Sequence, residues 1–315
     1  MQTSPSSPTA NSHQPALSAQ EEATPEQVSA LQKRITDEIF WALGQSKTGL
    51  LRRLLGWVFY LPTHRFAQIF SAADAAIANG GMSAGCRRML PELSIHLETR
   101  GAEALPAEGP LLIVSNHPGA YDSISLGSCV QRRDLKIMVW EIPFYRALTH
   151  ANQWFIYVTN DSTNRMLGLR SAIQHLKSGG ALLTFGTGII EPDPAIASGT
   201  ETAIEAWSPS VEVMVRKAPE TRLCLAIASG VVAAKFAPSP LTRLRREPVD
   251  QRRIAEFTQV ISQMISPRVV QPNVRLSFAP PVTIETLSAE SGGGRLLPAI
   301  KARAQRLLQE HLAAW

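Results

Sequence analysis

The fold is decided by the stretch Leu111-Leu-Ile-Val-Ser-Asn-His-Pro-Gly-Ala-Tyr-Asp122, in which a short apolar run ends in a turn. Five apolar or small residues bounded by Gly109-Pro110 and Pro118-Gly119 predict a buried β-strand over 111–115. The residues from Ser123 to Val130 predict the start of a helix. A strand that leads directly into a helix is the repeating unit of α/β proteins.

The same alternation continues toward the carboxyl terminus. Further strands are predicted at Asp134–Trp140, Trp154–Val158, Ala181–Phe185, Arg222–Ala228 and Val274–Phe278. Helices are predicted at Met166–Leu176, Pro248–Ile265 and Leu297–Leu312. Strands alternating with helices predict an α/β fold with a mixed, largely parallel sheet flanked by helices.

The chain divides into three predicted parts. Residues 1–25 are rich in Ser, Thr, Pro and Gln, which predicts a disordered tail. Residues 26–100 predict an N-terminal helical module, because apolar residues recur at spacings of three and four from Val28 to Leu43. The remaining residues, 101–315, predict the α/β domain.

The helical module carries features of a membrane-surface segment. Its basic and interfacial aromatic residues lie close together in sequence: Lys47, Arg52, Arg53, Trp57, Phe59, Tyr60 and Arg65. This mixture is typical of a helix lying in the headgroup layer, and a helix packed on the main domain is the alternative. The apolar stretch 54–61 is closed by Pro62 and is too short to span a bilayer, so no transmembrane anchor is expected.

Composition excludes several other classes of protein. Lys and Arg exceed Asp and Glu by 31 to 26, and a net charge of +5 suits an anionic membrane face or anionic ligands but is too small to predict nucleic-acid binding. Cys86, Cys129 and Cys224 lie far apart, and the histidines lack metal-ligand spacing, so we expect neither disulfides nor a metal site. A reducing, cytoplasmic compartment is the natural expectation.

Candidate chemistry follows the first strand directly. His117 stands at the predicted strand exit, and Asp122 begins the following helix five residues later. A carboxylate on this turn can orient the imidazole, so that its other nitrogen takes a proton from a hydroxyl group. The pair lacks a nucleophile, which suits direct transfer of an activated acyl group to an alcohol. Alternatively, Asp122 caps the helix and His117 is a polar turn residue.

The string Ser-Asn-His-x-x-x-x-Asp after an apolar strand resembles the first motif of the glycerolipid acyltransferases, the family of lysophosphatidic acid and glycerol-3-phosphate acyltransferases. The resemblance implies that His117 is the general base and Asp122 its partner. It also implies transfer of a fatty acyl group from acyl-CoA or acyl carrier protein to a lysophospholipid or related glycerolipid acceptor, with no cofactor. The partners would be the acyl thioester, the lipid acceptor and a membrane surface, with the protein peripheral on the inner membrane face.

A second strand exit resembles the family's Phe-Pro-Glu-Gly-Thr-Arg segment. Phe185 and Gly188 match it, whereas Gly186, Thr187 and two isoleucines replace the Pro, Glu, Thr and Arg. An isoleucine cannot provide the bidentate phosphate contact of an arginine. The backbone at 186–188 still allows close approach and free N–H groups for an anionic ligand or oxyanion. Glu191 is a displaced carboxylate or part of a rigid turn.

The resemblance extends over about residues 100–280. Phe155 and Ile156 match an intermediate motif whose Arg is absent, and Arg165 is the nearest cation that could replace it. On this basis the predicted substrate-binding residues are Asn116, Arg165, Phe185, Gly186, Thr187, Gly188 and Glu191. The basic residues Arg243, Arg245, Arg246, Arg252 and Arg253 predict a solvated face or a contact with lipid headgroups or donor phosphates.

Two alternatives to this enzyme remain at this point. One is an inactive lipid-surface binding protein on the same scaffold, and the other is a thioester hydrolase in which water replaces the alcohol. The pattern Gly81-Met-Ser83-Ala-Gly85 matches the serine turn of α/β-hydrolases but follows a helical pattern rather than a strand. We therefore predict that it is a loop that ends a helix.

Overall fold

The computed structural model describes residues 23–42, 50–237, 242, 246–268 and 270–315. Within this part of the chain seven strands form one sheet. They are β1 His96–Arg100, β2 Leu111–Ser115, β3 Lys136–Trp140, β4 Phe155–Val158, β5 Ala181–Phe185, β6 Arg222–Ser229 and β7 Asn273–Phe278. The predicted disordered tail lies outside the described residues up to residue 22, and so do Lys47, Arg243 and Arg245.

Eleven α-helices connect or flank these strands in the described residues. They are α1 Pro25–Ala42, α2 Leu50–Gly80, α3 Met82–Glu92, α4 Ala120–Cys129, α5 Pro143–Arg146, α6 Ser162–Lys177, α7 Thr200–Glu205, α8 Ser210–Lys217, α9 Pro248–Ile265, α10 Ile284–Glu290 and α11 Leu297–Ala314. The bounds of β2, β5 and α9 agree with the sequence prediction to the residue.

The sheet has the strand order β1-β7-β6-β2-β5-β3-β4. All neighbouring strands run parallel except β6 and β7, which are antiparallel. The predicted mixed, largely parallel sheet is therefore confirmed. Because β2 lies between β5 and β6, the turns that follow β2 and β5 leave the same edge of the sheet side by side.

Both faces of the sheet are buried, which explains the continuous apolar runs of its central strands. Leu111 and Ile113 of β2 point into a core shared with helices α1 to α4. Leu112 and Val114 point into a second core formed with helices that include α6, α8 and α11. Alternate residues of one strand thus face opposite sides of the sheet and pack against two different layers of helices.

The N-terminal helices pack on the face of the sheet that carries α4. Val28 and Leu31 of α1 and Ala73 and Ile77 of α2 are buried in that core. The first part of α2 is different, since the Trp57 side chain is 81% exposed. Among the described residues no helix combines the length and the apolar character needed to cross a membrane.

Three local predictions in this region are wrong. Pro62 does not close the apolar stretch, because α2 continues through it. Next to the proline, the Thr63 hydroxyl donates to the carbonyls of Phe59 and Tyr60. Residues 96–100 form β1 rather than helix, held by parallel pairing with β7. The glycine-rich stretch 81–85 is mostly the first turn of α3, and the helix break is confined to Gly81 at φ 72°.

Candidate active site

His117 and Asp122 meet at the exit of β2. The His117 Nδ1 atom lies 2.8 Å from Asp122 Oδ2, and the same oxygen accepts the Gly119 N–H at 3.1 Å. The carboxylate therefore both caps α4 and orients the imidazole, so the two roles that the sequence offers as alternatives for Asp122 occur together. Asp122 is fully buried, whereas the His117 side chain is 22% exposed. With Nδ1 held by the carboxylate, Nε2 is the nitrogen available for proton transfer.

The electrostatic surroundings favour the protonated form of His117. Burial by itself lowers the pKa of the ring, but the charge and hydrogen bond of Asp122 outweigh it. The nearby carboxylates of Glu256 and Glu191 act in the same direction, so that the His117 pKa is raised above its ordinary value. An imidazole of raised pKa is a stronger base toward a hydroxyl proton.

The turn after β5 lies against His117. Ser115 pairs with Phe185 across the two strands, and the Phe185 ring stacks on the imidazole with centroids 4.2 Å apart and planes inclined by 22°. The Glu191 N–H donates to the His117 carbonyl at 2.7 Å. The structure thus brings together the two strand exits that the sequence singles out.

Glu191 is a buried acid of this turn. Its Oε1 accepts the Thr187 hydroxyl at 2.7 Å, while its Oε2 is buried and has no hydrogen-bond partner among the described residues. Burial raises the pKa of Glu191 to about 7, against the opposing effects of Thr187 and His117. A carboxyl group of this kind can carry a proton near neutral pH and present it to a polar ligand.

Gly186 does not supply the free N–H group expected of it. Its amide donates to the Ser115 carbonyl at 2.9 Å. A Cβ at this position would lie 2.2 Å from the Trp207 ring, so the glycine allows that ring to pack against the turn. Gly188 has a φ of 73° and faces open space. The Thr187 amide faces the Glu191 carboxylate, whereas within the described residues the Gly188 amide donates to no acceptor, so it is the candidate for contact with an oxyanion.

Two predicted substrate contacts are wrong on geometric grounds. The Asn116 side chain is fully buried, and its amide group exchanges hydrogen bonds of 2.9 and 2.8 Å with the Ala228 backbone. It aligns β2 with β6 instead of facing a ligand. Arg165 lies on α6 beyond β4, three strands away from β2, and donates to the Asn160 carbonyl. The structure does not bring it to His117.

Helix α9 contributes four polar residues, of which the sequence singled out only Arg252, as part of a basic cluster. Glu256 accepts the Ala120 N–H at 2.5 Å, and the Arg252 Nε donates to the Ile190 carbonyl at 3.2 Å. Gln259 and Gln263 are buried and bond to backbone groups of Val231, Ala233, Leu93 and Val270. Their spacing of four, three and four places all four side chains on one helix face, a signal that was present in the sequence.

An apolar cavity of about 330 Å³ begins beside this site. Ala120 and Glu256 are among its lining residues, and the others come mainly from α2, α3, α4, α5, α9 and the sheet, with Phe66, Phe70, Met89, Tyr145, Phe155 and Val260 in its wall. Its volume lies at the low end of the range for small-molecule sites, ~300–1,000 Å³. In the described residues no group of three or more His, Cys, Asp or Glu is arranged to hold a metal ion.

Comparison with known proteins shows which family part of the chain resembles. Residues 96–206 match the family model described as Acyltransferase, a range that includes His117, Asp122 and Glu191 but not α9. The match confirms the resemblance to acyltransferases that the sequence motif predicts.

Among solved structures, the chain is similar to the 1-acyl-sn-glycerophosphate (LPA) acyltransferase PlsC from Thermotoga maritima. The identity is 16%, the TM-score is 0.49, and the match covers 83% of this chain and 94% of that one. No curated protein matches the chain.

Proposed function

We propose that this protein is an O-acyltransferase that moves a fatty acyl group from an acyl thioester to a hydroxyl group of a lysophospholipid or related glycerolipid. The observation that carries the proposal is the His117–Asp122 contact of 2.8 Å at a strand exit beside an apolar cavity. The thioester donor is acyl-CoA or acyl carrier protein, because both present the same reacting group.

The reaction needs a base, an attack and a leaving group. The His117 Nε2 takes the proton of the acceptor hydroxyl, and the hydroxyl oxygen forms a bond with the thioester carbonyl carbon. The carbon–sulfur bond then breaks, and the departing thiolate takes the proton from the imidazolium. Asp122 stabilises the imidazolium between these two steps. The amide of Gly188 supports the proposal as a donor to the oxygen of the tetrahedral intermediate.

The apolar cavity is the proposed site of the acyl chain. Its wall is mainly aromatic and aliphatic, and it includes Ala120, three residues beyond His117, and Glu256, which accepts the Ala120 N–H. A chain bound with its thioester beside Ala120 would place the carbonyl carbon near the base. Burial of each methylene is worth about 0.8 kcal/mol, which gives the cavity a strong preference for a hydrocarbon tail.

The charged group of the acceptor is proposed to bind Arg252. The Nε of this arginine is anchored on the Ile190 carbonyl, which leaves the two Nη groups for a bidentate contact with phosphate. Ile190 occupies the position where the resemblance leads one to expect an arginine, so Arg252 would provide a guanidinium group at the same turn from another element. Burial lowers the pKa of Arg252, and Glu191 opposes that effect.

The first part of α2 is proposed to dock on the cytoplasmic face of a membrane. Trp57 and Tyr60 are 81% and 61% exposed, and Leu61 is also exposed. Interfacial aromatic side chains beside basic residues favour binding to anionic headgroups. The same helix continues into the wall of the apolar cavity through Phe66 and Phe70, so docking would bring the cavity close to the lipids.

The experiment that tests this function is an acyl-transfer assay with identified products. The full-length protein is incubated with acyl-CoA or acyl carrier protein thioesters and with vesicles that contain lysophospholipid, glycerol-3-phosphate or monoacylglycerol. Mass spectrometry should detect a diacyl product that forms only with acceptor present. Free fatty acid without such a product would indicate a hydrolase, and vesicle binding without turnover would indicate a lipid-binding protein. Either result contradicts the proposal.

A further inference from the structure

Glu256 joins α9 to the turn that carries the candidate catalytic pair. Its Oε1 accepts the Ala120 N–H, the first amide of α4. A Cβ built on Gly119 would lie 3.7 Å from the Glu256 carboxyl carbon, so this side chain packs directly on the turn between His117 and Asp122. Glu256 also stands in the wall of the apolar cavity. It is thus the acid located between that cavity and the imidazole.

Three carboxyl groups surround His117, each from a different element. Asp122 comes from α4, Glu191 from the turn after β5, and Glu256 from α9. Arg252 and Arg253 of α9 act on Glu191 and Glu256, respectively. The phenols of Tyr121 and Tyr145, from α4 and α5, are near Glu256 and have pKa values raised mainly by burial.

We propose that Glu256 is a positioning residue for His117. From α9 it fixes the first turn of α4, which carries Asp122, and it adds a third carboxyl group to those of Asp122 and Glu191 near the imidazole. The role in turnover rests on the proposed acyl transfer, whereas the effect on the His117 ring can be measured without it. The residue lies outside the range that matches the acyltransferase family model.

The two contributions of Glu256 have different physical consequences. The hydrogen bond to Ala120 holds an N-terminal amide of α4 and so limits the movement of Asp122 relative to His117. The charge stabilises the imidazolium, which must form and persist until the thiolate leaves. Burial raises the pKa of Glu256 to about 7, against the effects of His117 and Ala120, so its charge grows as the pH passes through neutrality.

The test is an NMR titration of the histidine rings in the full-length protein, with the His117 signal assigned from a His117→Gln variant. Glu256→Gln retains an oxygen for the Ala120 N–H but removes the charge. The His117 midpoint should fall by about half a pH unit or more in this variant. Glu256→Asp, which keeps the charge, should retain most of the wild-type midpoint. Glu247→Gln is the matched control, because Glu247 is an exposed residue before the same helix.

An unchanged His117 midpoint in Glu256→Gln would overturn the proposal, and so would an equal shift in Glu247→Gln. If the wild-type protein transfers acyl groups, the acid limb of its pH profile for kcat/KM should move with the NMR midpoint. A loss of thermal stability in Glu256→Gln, with no change in the His117 NMR midpoint or in the pH profile, would show a purely structural role. If the wild type shows no transfer, the proposed function fails while the titration still decides the role of Glu256.

Discussion

At the level of single residues, the site places three acids around one imidazole. Asp122 makes the direct contact, whereas Glu191 and Glu256 have pKa values raised to about 7, mainly by burial. If all three acids were ionised, a protonated His117 would relieve their mutual repulsion, together with Arg252 beside Glu191 and Arg253 beside Glu256. The cluster therefore exchanges protons near neutral pH, which is the range in which a general base for a hydroxyl group must work.

The pH dependence of turnover follows from the His117 pKa. Because burial lowers it but Asp122 raises it further, the ring titrates above its ordinary value of about 6.5. We expect kcat/KM for acyl transfer to fall at pH values below a midpoint that lies above 6.5, since the imidazolium cannot accept a proton. Asp122→Asn should lower both the rate and this midpoint. A wild-type midpoint below 6 would contradict the assignment of His117 as the base.

Gly186 should tolerate no side chain. The Cβ of alanine would overlap the Trp207 ring, which is almost fully buried, so Gly186→Ala should destabilise the fold by about 1–3 kcal/mol. Urea unfolding followed by tryptophan fluorescence measures this change in the free energy of unfolding. Gly56→Ala is the control, because its Cβ would meet its nearest neighbour only at 4.0 Å and alanine favours a helix. Equal stability of the two variants would contradict the packing argument.

At the level of elements, whether a strand can be predicted from the sequence depends on which contacts stabilise it. The bounds of β2 and β5 could be predicted because their residues are buried on both sides and end at Gly or Pro. β1 has the sequence His-Leu-Glu-Thr-Arg and no such run. It exists because β7, about 175 residues later in the chain, offers a parallel partner, a long-range contact that local sequence patterns do not record.

Helix α9 shows the same limit for the site. Its range could be predicted, but its part in the site could not, because Glu256 and Ala120 are 136 residues apart in sequence. Its two ends are held by different parts of the molecule. Arg252 bonds to the turn after β5, and Arg65 of α2 donates to the Met264 and Ile265 carbonyls at the other end. The helix is therefore positioned by tertiary contacts that fix its polar face over the strand exits.

The role proposed for Arg252 can be separated from that of its neighbour. Arg253 is exposed and pairs with Asp250 at 3.3 Å, so it serves as a control on the same helix. Arg252→Ala should raise KM for a phosphate-bearing acceptor at least tenfold, the loss of about 1.4 kcal/mol or more expected for one charge-assisted contact. It should leave KM for monoacylglycerol nearly unchanged. Similar effects of Arg252→Ala and Arg253→Ala on both acceptors would contradict this assignment.

At the scale of the whole molecule, the N-terminal helices and the sheet form the apolar cavity together. Its wall combines Phe66 and Phe70 of α2 and Met89 of α3 with Phe155 of β4. The predicted division into a helical module and an α/β domain therefore runs through the proposed acyl site. The exposed part of α2, for which membrane docking is proposed, and the cavity wall are consecutive along one helix, so the proposed lipid docking and substrate entry would involve a single element.

Vesicle binding tests the docking part of this account. The double variant Trp57→Ser, Tyr60→Ser removes two exposed aromatic side chains and should weaken binding to anionic vesicles about tenfold or more in a flotation assay. Met166→Ser, Leu167→Ser is the matched control, because these two apolar residues are also exposed, on α6. Equal weakening in both variants, or none in the first, would contradict docking through α2.

The central claim is that the imidazole of His117 takes the acceptor proton. It is tested most directly by the rate of acceptor-dependent thiol release from acyl-CoA in His117→Ala, with His96→Ala as a control in an exposed position. Loss of a general base lowers the rate by about 10²–10⁴-fold. We predict a loss in that range for His117→Ala at unchanged thermal stability, and wild-type activity for His96→Ala. Full activity in folded His117→Ala would contradict the account.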